Sequence, residues 1–130
     1  LVTPDTMIDA ASPLVWGRFR IKEFENKNYG TVSVSDMIVK SSNVGAAKLA
    51  LMIGGERQQD FLRAMGFFEP TPLELVEAPK ARPILPAKWS EIVTITSAFG
   101  HGFSASQMHL AAAYATIANG GVAIRPTLLK

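Results

Sequence analysis

The sequence predicts a mainly α-helical chain with short β segments, and three observations support this. Apolar residues recur at helical spacing after position 44, after position 56 and again before Asn119. The extended runs that precede position 30 are only three or four residues long. Five prolines between positions 67 and 88 exclude a helix or a central strand there. We therefore expect helices to form most of the regular structure.

The N-terminal third is predicted to hold two short strands and one short helix. Residues 7–9 and 18–21 are the extended runs, and residues 26–30 are typical of a turn. Ser33 is followed three residues later by Asp36, which resembles a capping box. This pair therefore predicts the start of the first helix.

Two further helices are predicted before the proline-rich segment. The first runs from about Val44 to Ile53 and ends at a pair of glycines. The second runs from Glu56 to Met65, and Gly66 is expected to cap it in the left-handed conformation.

Residues 67–88 are predicted to form an extended, ordered loop. A linker between independent domains is the other interpretation, but the roughly 40 residues beyond it would form a small core. We therefore expect one domain that this loop wraps. After it, Ser104 or Ser106 should cap the last helix, and residues 122–126 resemble the start of a strand.

Composition and charge exclude several classes of protein. The 130 residues are 48% apolar and 18% charged, which fits one domain or a piece of one, with part of its surface covered. The sequence has thirteen basic and eleven acidic residues, and the basic ones are scattered along the chain. No nucleic-acid-binding surface is therefore predicted. Cysteine is absent, which excludes disulfides, thiolate metal sites and a thiol nucleophile.

No metal, cofactor or membrane span is predicted from these residues. His101 and His109 have no carboxylate at ligand spacing between them, and a metal site needs three or four converging ligands. No glycine-rich segment matches a phosphate-binding loop. A bilayer span needs about 20 consecutive apolar residues, and the chain has no such run. Any anchor is therefore expected outside this chain.

The most informative polar cluster is Ser41-Ser42-Asn43, which lies next to Lys40 and ahead of an amphipathic helix. A hydroxyl can relay a proton, while a carboxamide donates and accepts hydrogen bonds and so suits a peptide bond. Taken alone, the cluster is fully explained as a helix cap. Its context gives it more weight.

Several segments, taken in order, resemble the class B penicillin-binding proteins, which are peptidoglycan D,D-transpeptidases. Residues 40–45 resemble the second active-site motif of that family, and the turn at Gly100 and Gly102 looks like its Gly-x-Gly turn. Residues 110–121 look like the helix that follows the turn. Residues 21–33 are similar to the segment that precedes the motif in division-type transpeptidases.

One position departs from the family pattern. The family often has Thr-Pro-x-Gln where the last helix begins, and this chain has Ser106-Gln107-Met108-His109. Ser106 keeps a capping hydroxyl, while His109 replaces the glutamine. The usual hydrogen bonding of that position is therefore not predicted for His109, while the motif itself is.

The resemblance implies both a fold and a mechanism. In the family, as in serine β-lactamases, helices pack on an antiparallel sheet in an α/β domain, and three motifs carry out acyl transfer. The Ser-x-Asn motif would make Ser41 a proton relay and Asn43 a catalytic, substrate-binding amide, acting on peptidoglycan stem peptides and β-lactams. The residues expected to support this site are Lys40, Ser42, Gly100 and Gly102.

The other two motifs of the family are missing from the sequence. No lysine has a serine three residues before it, and Lys-Thr-Gly does not occur. The chain has no candidate nucleophile, so we expect residues 1–130 to be the central part of a transpeptidase domain and inactive alone. The resemblance also implies a periplasmic domain of a protein anchored in the inner membrane, with divisome proteins among its partners.

Excision from a larger domain has a physical consequence. Most of the parent sheet would lie outside this chain, so the helices at 44–53 and 111–118 should expose apolar faces. We therefore expect the fragment to self-associate.

Two other interpretations stay open. A non-catalytic helical interaction module would bind a partner through the alanine-rich last helix and the proline-rich loop. A serine β-lactamase is related to the same family, but the Val44-Gly45 continuation of the motif argues against it. Deacylation would also need a further base, for which the sequence offers no candidate.

Overall fold

A computed structural model describes residues 2–129 of the chain. Its strands are β1 Met7–Asp9, β2 Leu14–Trp16, β3 Phe19–Ile21 and β4 Thr31–Ser33. Its helices are α1 Val34–Val39, α2 Asn43–Ile53, α3 Gly55–Ala64, α4 Glu91–Ser97 and α5 Gln107–Ala118. Two 3₁₀ turns lie at Phe24–Asn26 and Ala78–Lys80.

The strands pair antiparallel in two separate ribbons. Strand β1 pairs with β4, with Ile8 opposite Val32, and β2 pairs with β3, with Val15 opposite Arg20. Ile8 and Val32 are buried and their strand neighbours are more exposed, as the two-residue period of a strand dictates. Only one face of this ribbon therefore contributes to the core.

The chain forms two compact units. The first comprises the residues up to 55 together with 88–101, and the second comprises 56–87 together with the residues from 102 onward.

The core of the first unit is built around helix α2. Val44 and Ala47 of α2 pack with Ile95 of α4 and Ile21 of β3 in one buried cluster. The small Ala47 side chain, which is fully buried, lets the two helices approach closely. A second cluster joins Ala10, Val32 and Met37. Helix α2 is thereby fixed along most of its length.

The second unit is organised around helix α5. Ser106 caps α5. The Thr71 hydroxyl lies 3.2 Å from the Ser106 hydroxyl, and it donates to the Ala81 carbonyl at 2.8 Å. Ile84 and Ser104 form an isolated antiparallel bridge. Residues 67–88 otherwise contain only the 3₁₀ turn at 78–80 and irregular backbone.

The predicted fold class, mainly helical with short strands, is confirmed. The capping of α1 by Ser33 is observed, since its hydroxyl accepts from the Asp36 amide at 3.0 Å. Ser106 rather than Ser104 caps α5, and Gly66 is left-handed with φ 82°. Strands β2 and β4 and helix α4 were not assigned from the sequence.

The prediction of a strand at 122–126 is wrong for the described residues. Strands are stabilised by ladders to a neighbouring strand, and the Ile124 amide instead donates to the Thr116 hydroxyl at 3.3 Å. Residues 122–126 are irregular. Among residues 2–129, no helix has both the length and the apolar character needed to cross a bilayer.

The expected exposure of apolar helix faces is observed mainly on α5. Leu110, Tyr114 and Ile117 are 52%, 67% and 59% exposed. Helix α2 instead buries most of its apolar face and exposes only Met52 and Ile53 at its C-terminal end.

Candidate functional site

The cluster Ser41-Ser42-Asn43 forms the junction between helices α1 and α2. Helix α1 ends when the Ser41 amide donates to the Ile38 carbonyl at 3.0 Å and the Ser42 amide donates to the Met37 carbonyl at 2.9 Å. These two bonds, with Ser41 left-handed between them, define a Schellman motif. Helix α2 starts two residues later, so the reversal is tight.

Ser41 occupies the one position of this motif that normally belongs to glycine. Its φ of 52° lies in the left-handed region, which L-residues other than asparagine and aspartate seldom adopt. The side chain is exposed, and within residues 2–129 its hydroxyl makes no hydrogen bond. A strained residue with an unengaged polar group is a feature of functional sites.

Ser42 has a structural role. Its hydroxyl accepts the Gly45 amide at 2.9 Å, which makes it the N-cap of α2, and it donates to the Glu23 carboxylate at 2.6 Å. The residue is only 3% exposed. Ser42 therefore fixes the start of α2 and cannot face a substrate.

Glu23 is the residue that the sequence analysis missed. It lies two residues after β3, is 4% exposed, and accepts three hydrogen bonds from the start of α2. Besides the Ser42 hydroxyl, the donors are the Asn43 amide at 2.8 Å and the Val44 amide at 3.2 Å. A negative carboxylate at a helix N-terminus is favoured by the helix dipole.

Glu23 also determines what the end of α2 can bind. The first amides of a helix have no intrahelical acceptor and can bind an anion. Here the amides of Asn43 and Val44 bond to Glu23, and that of Gly45 bonds to Ser42. These donors are therefore already used within the protein.

The Asn43 carboxamide is held in a defined orientation. Its Nδ2 donates to the Lys22 carbonyl at 3.1 Å, and the residue is half-buried. Since an amide nitrogen has two hydrogens and Oδ1 has two lone pairs, one N–H and the carbonyl oxygen remain for a ligand. The group can therefore both donate to and accept from a peptide.

Lys40 stands beside the junction on the α1 side. Its Nζ lies 5.6 Å from the centre of the Tyr29 ring, a cation–π contact, and the residue is exposed. The structure thus brings residues 40–43 together. Gly100, with φ 83°, lies three residues after the end of α4, and no hydrogen bond within residues 2–129 joins it to Ser41 or Asn43. Gly102 belongs to the second unit.

His109 is a buried structural residue at the start of α5. Its Nδ1 accepts from the Ser106 amide at 3.3 Å and lies 2.7 Å from the Ser106 hydroxyl, which completes a capping box. Its Nε2 donates to the Glu69 carbonyl at 2.9 Å. The histidine thus supplies the acceptor of a capping box, a role usually held by glutamine or glutamate.

Neither histidine belongs to a metal centre within the described part of the chain. Residues 2–129 contain no group of three or more His, Cys, Asp or Glu side chains able to hold a metal ion.

Comparisons with known proteins point to one family. A family described as "Penicillin binding protein transpeptidase domain" matches residues 2–130. The chain is 31% identical over 130 residues to a probable peptidoglycan D,D-transpeptidase FtsI of Caulobacter vibrioides, covering 100% of this chain and 21% of that protein. It therefore spans about a fifth of the length of the curated relatives that it matches.

Two solved structures resemble the chain closely. A peptidoglycan glycosyltransferase from Burkholderia ambifaria matches with a TM-score of 0.89 and 30% identity, over 99% of this chain and 40% of that one. The apo transpeptidase domain of Burkholderia pseudomallei penicillin-binding protein 3 matches with a TM-score of 0.87 and 30% identity, over 99% and 39% of the two chains.

Proposed function

The chain belongs to the penicillin-binding protein transpeptidase domain family and shares its fold, and on this premise we propose that it is the central part of a peptidoglycan D,D-transpeptidase. The enzyme would cross-link stem peptides through a serine acyl-enzyme, and β-lactams would acylate the same serine. The observation that carries the proposal is the junction at residues 40–43. There a strained, exposed serine stands two residues from an oriented amide.

Ser41 is assigned the proton relay. In acylation the nucleophilic serine bonds to the substrate carbonyl carbon, the peptide C–N bond breaks, and a proton passes to the leaving amine. A hydroxyl that both donates and accepts can hand on that proton. Ser41 suits the role because its hydroxyl makes no hydrogen bond within residues 2–129 and because it lies where glycine would be less strained.

Asn43 is assigned substrate binding. Its remaining N–H can donate to the substrate's peptide carbonyl while Nδ2 stays bound to the Lys22 carbonyl. Ser42 acts indirectly by capping α2, and Lys40 acts indirectly through its contact with the Tyr29 ring. Gly100 and Gly102 are assigned to the turn that leads to the last helix.

The nucleophile is proposed to lie outside residues 1–130. The sequence has neither a Ser-x-x-Lys motif nor Lys-Thr-Gly, so covalent acylation would need segments of the longer protein. The 130-residue chain by itself should be inert towards penicillin. We propose further that the longer protein is of the division type, with this domain in the periplasm, an inner-membrane anchor outside the chain, and divisome proteins as partners.

Fluorescent penicillin tests the proposal. We expect the complete protein to form a denaturation-resistant fluorescent adduct and the 130-residue chain to form none. Ser41→Ala in the complete protein should lower the acylation rate constant by about 100-fold or more, in the range that general acid–base groups contribute. Ser35→Ala, an exposed serine of α1, is the matched control and should leave the rate unchanged.

Labelling of the isolated chain would contradict the assignment of the nucleophile to another segment. A Ser41→Ala enzyme that is acylated at the wild-type rate would contradict the relay.

A further inference from the structure

The Glu23 carboxylate accepts three hydrogen bonds from the candidate site, all of them from residues 42–44. It lies 18 residues before Ser41 in the chain, in the segment between β3 and the 3₁₀ turn at Phe24–Asn26. We propose that Glu23 is a positioning residue for acyl transfer, which holds the Ser41 and Asn43 side chains in register with the reacting groups. The inference rests on the proposed transpeptidase function.

Both oxygens of the Glu23 carboxylate are fixed by hydrogen bonds. Its Oε1 accepts from the Ser42 hydroxyl at 2.6 Å and from the Val44 amide at 3.2 Å, and its Oε2 accepts from the Asn43 amide at 2.8 Å. Both oxygens are therefore engaged, so the group cannot rotate without breaking a bond. A buried carboxylate needs such partners, and all three come from residues 42–44.

Asn43 is held at two points by two consecutive residues. Glu23 binds its backbone amide, and the Lys22 carbonyl binds its side-chain Nδ2. A shift of the 22–23 segment would move the carboxamide as a whole. The orientation of the proposed substrate-binding group therefore depends on this segment.

The Ser41 side chain makes no hydrogen bond of its own within residues 2–129. Its position follows from its neighbours, since the Ser42 amide bonds to the Met37 carbonyl and the Ser42 hydroxyl bonds to Glu23. The left-handed backbone of Ser41 is strained. It persists because Glu23 and α1 fix the residue that follows it.

Capping of α2 does not by itself account for Glu23. Ser42 already supplies an N-cap by accepting the Gly45 amide at 2.9 Å. The carboxylate adds bonds to the amides of Asn43 and Val44, which lie between Ser42 and Gly45, and so fixes the reversal between α1 and α2. Its additional effect is thus on the placement of residues 41–43.

The test measures acylation of the complete protein by fluorescent penicillin under saturating and sub-saturating conditions. This separates the non-covalent dissociation constant from the acylation rate constant, while the labelled fraction reports the amount of folded enzyme. We expect Glu23→Gln to lower the rate constant at least 10-fold with a labelled fraction near that of the wild type. The matched control is Glu25→Gln, an exposed glutamate that pairs with Lys27.

A second readout separates positioning from a general loss of stability. If Glu23 acts through Ser41 and Asn43, Glu23→Gln should slow acylation much less in a Ser41→Ala or an Asn43→Ala enzyme than in the wild type. Equal fold-changes in the wild-type and both variant backgrounds would overturn the proposal. So would a wild-type rate constant in Glu23→Gln.

If Glu23→Gln does not fold, Glu23→Asp provides the same test. It keeps the charge but shortens the side chain by one methylene, and we expect a folded enzyme with a lowered acylation rate constant. An unchanged rate constant would overturn the positioning role alone. A wild-type protein that forms no adduct would instead overturn the proposed function, and the positioning role with it.

Discussion

Replacing Ser42 with alanine is expected to destabilise the fold far more than the same replacement at Ser41. The two serines are adjacent and undergo the same chemical change, but their surroundings differ. Ser42 is 3% exposed and bonds to Glu23 and Gly45. Ser41 is exposed and makes no side-chain hydrogen bond within residues 2–129.

The size of the Ser42→Ala effect follows from the two lost bonds. Loss of a serine N-cap costs about 1 kcal/mol, and loss of a hydrogen bond to a charged acceptor costs about 1.5–3 kcal/mol. We therefore expect the free energy of unfolding to fall by about 2–4 kcal/mol. For Ser41→Ala we expect a change within about 0.5 kcal/mol, as for an exposed side chain without partners.

Urea unfolding of the 130-residue chain, followed by circular dichroism at the helix signal, measures both variants. A lower midpoint with an unchanged slope is the expected result for Ser42→Ala, because the surface exposed on unfolding stays the same. Equal midpoints for the two variants would refute the division of roles between the serines. A larger loss for Ser41→Ala would refute it as well.

Three further predictions concern pH, packing and association. The hydrogen bond and charge of Lys48, whose Nζ lies 2.7 Å from Asp9, hold the pKa of that carboxyl below its usual value of 3.8. The contribution of Asp9 to the free energy of unfolding is then present above pH 3.8, and it is lost as the pH falls through the lower pKa of the folded state. When the pH is lowered, the urea midpoint of Asp9→Asn should therefore change less than that of the wild type. In Gly45→Ala, the new Cβ would lie 2.6 Å from Met37 Cγ. The resulting overpacking, which costs about 1–3 kcal/mol, should exceed the gain in helix propensity and lower the urea midpoint. A higher midpoint would contradict this. Light scattering should show that the 130-residue chain associates. Tyr114→Glu should reduce this association, because Tyr114 is 67% exposed. A clean monomer of the unmodified chain at high concentration would count against the prediction.

Helices α1, α2, α3 and α5 were predictable because their signals are local. Ser33 and Ser106 are good cap residues, and both cap the helices that follow them. The glycine pair at 54–55 and the left-handed Gly66 likewise mark helix ends in the sequence itself. Short-range rules sufficed for these elements.

Long-range partners were not predictable in the same way. Glu23 bonds to residues 19 to 21 positions further along the chain, and an isolated glutamate carries no spacing signal for such a contact. Helix α4 was not assigned because the Ile92-Val93-Thr94-Ile95 run is β-branched, and burial of Ile95 against α2 outweighs that weak propensity.

The candidate site was only partly predictable. The Ser-x-Asn pattern and the resemblance predicted Ser41 and Asn43 as functional residues and Ser42 as a supporting one, but they did not predict the contacts of Ser42. Its bonds to the Gly45 amide and to the Glu23 carboxylate depend on the fold. Glutamine at position 109 was the family expectation, and His109 meets the same capping need through its ring nitrogen.

A structure of the complete protein acylated by a penicillin tests the central claim most directly. We predict that the Asn43 carboxamide will bond to the amide of the bound penicillin, and that the Ser41 hydroxyl will lie within hydrogen-bond distance of the reacting groups. An adduct whose ligand contacts neither residue, with the two side chains packed against other parts of the protein, would contradict the account.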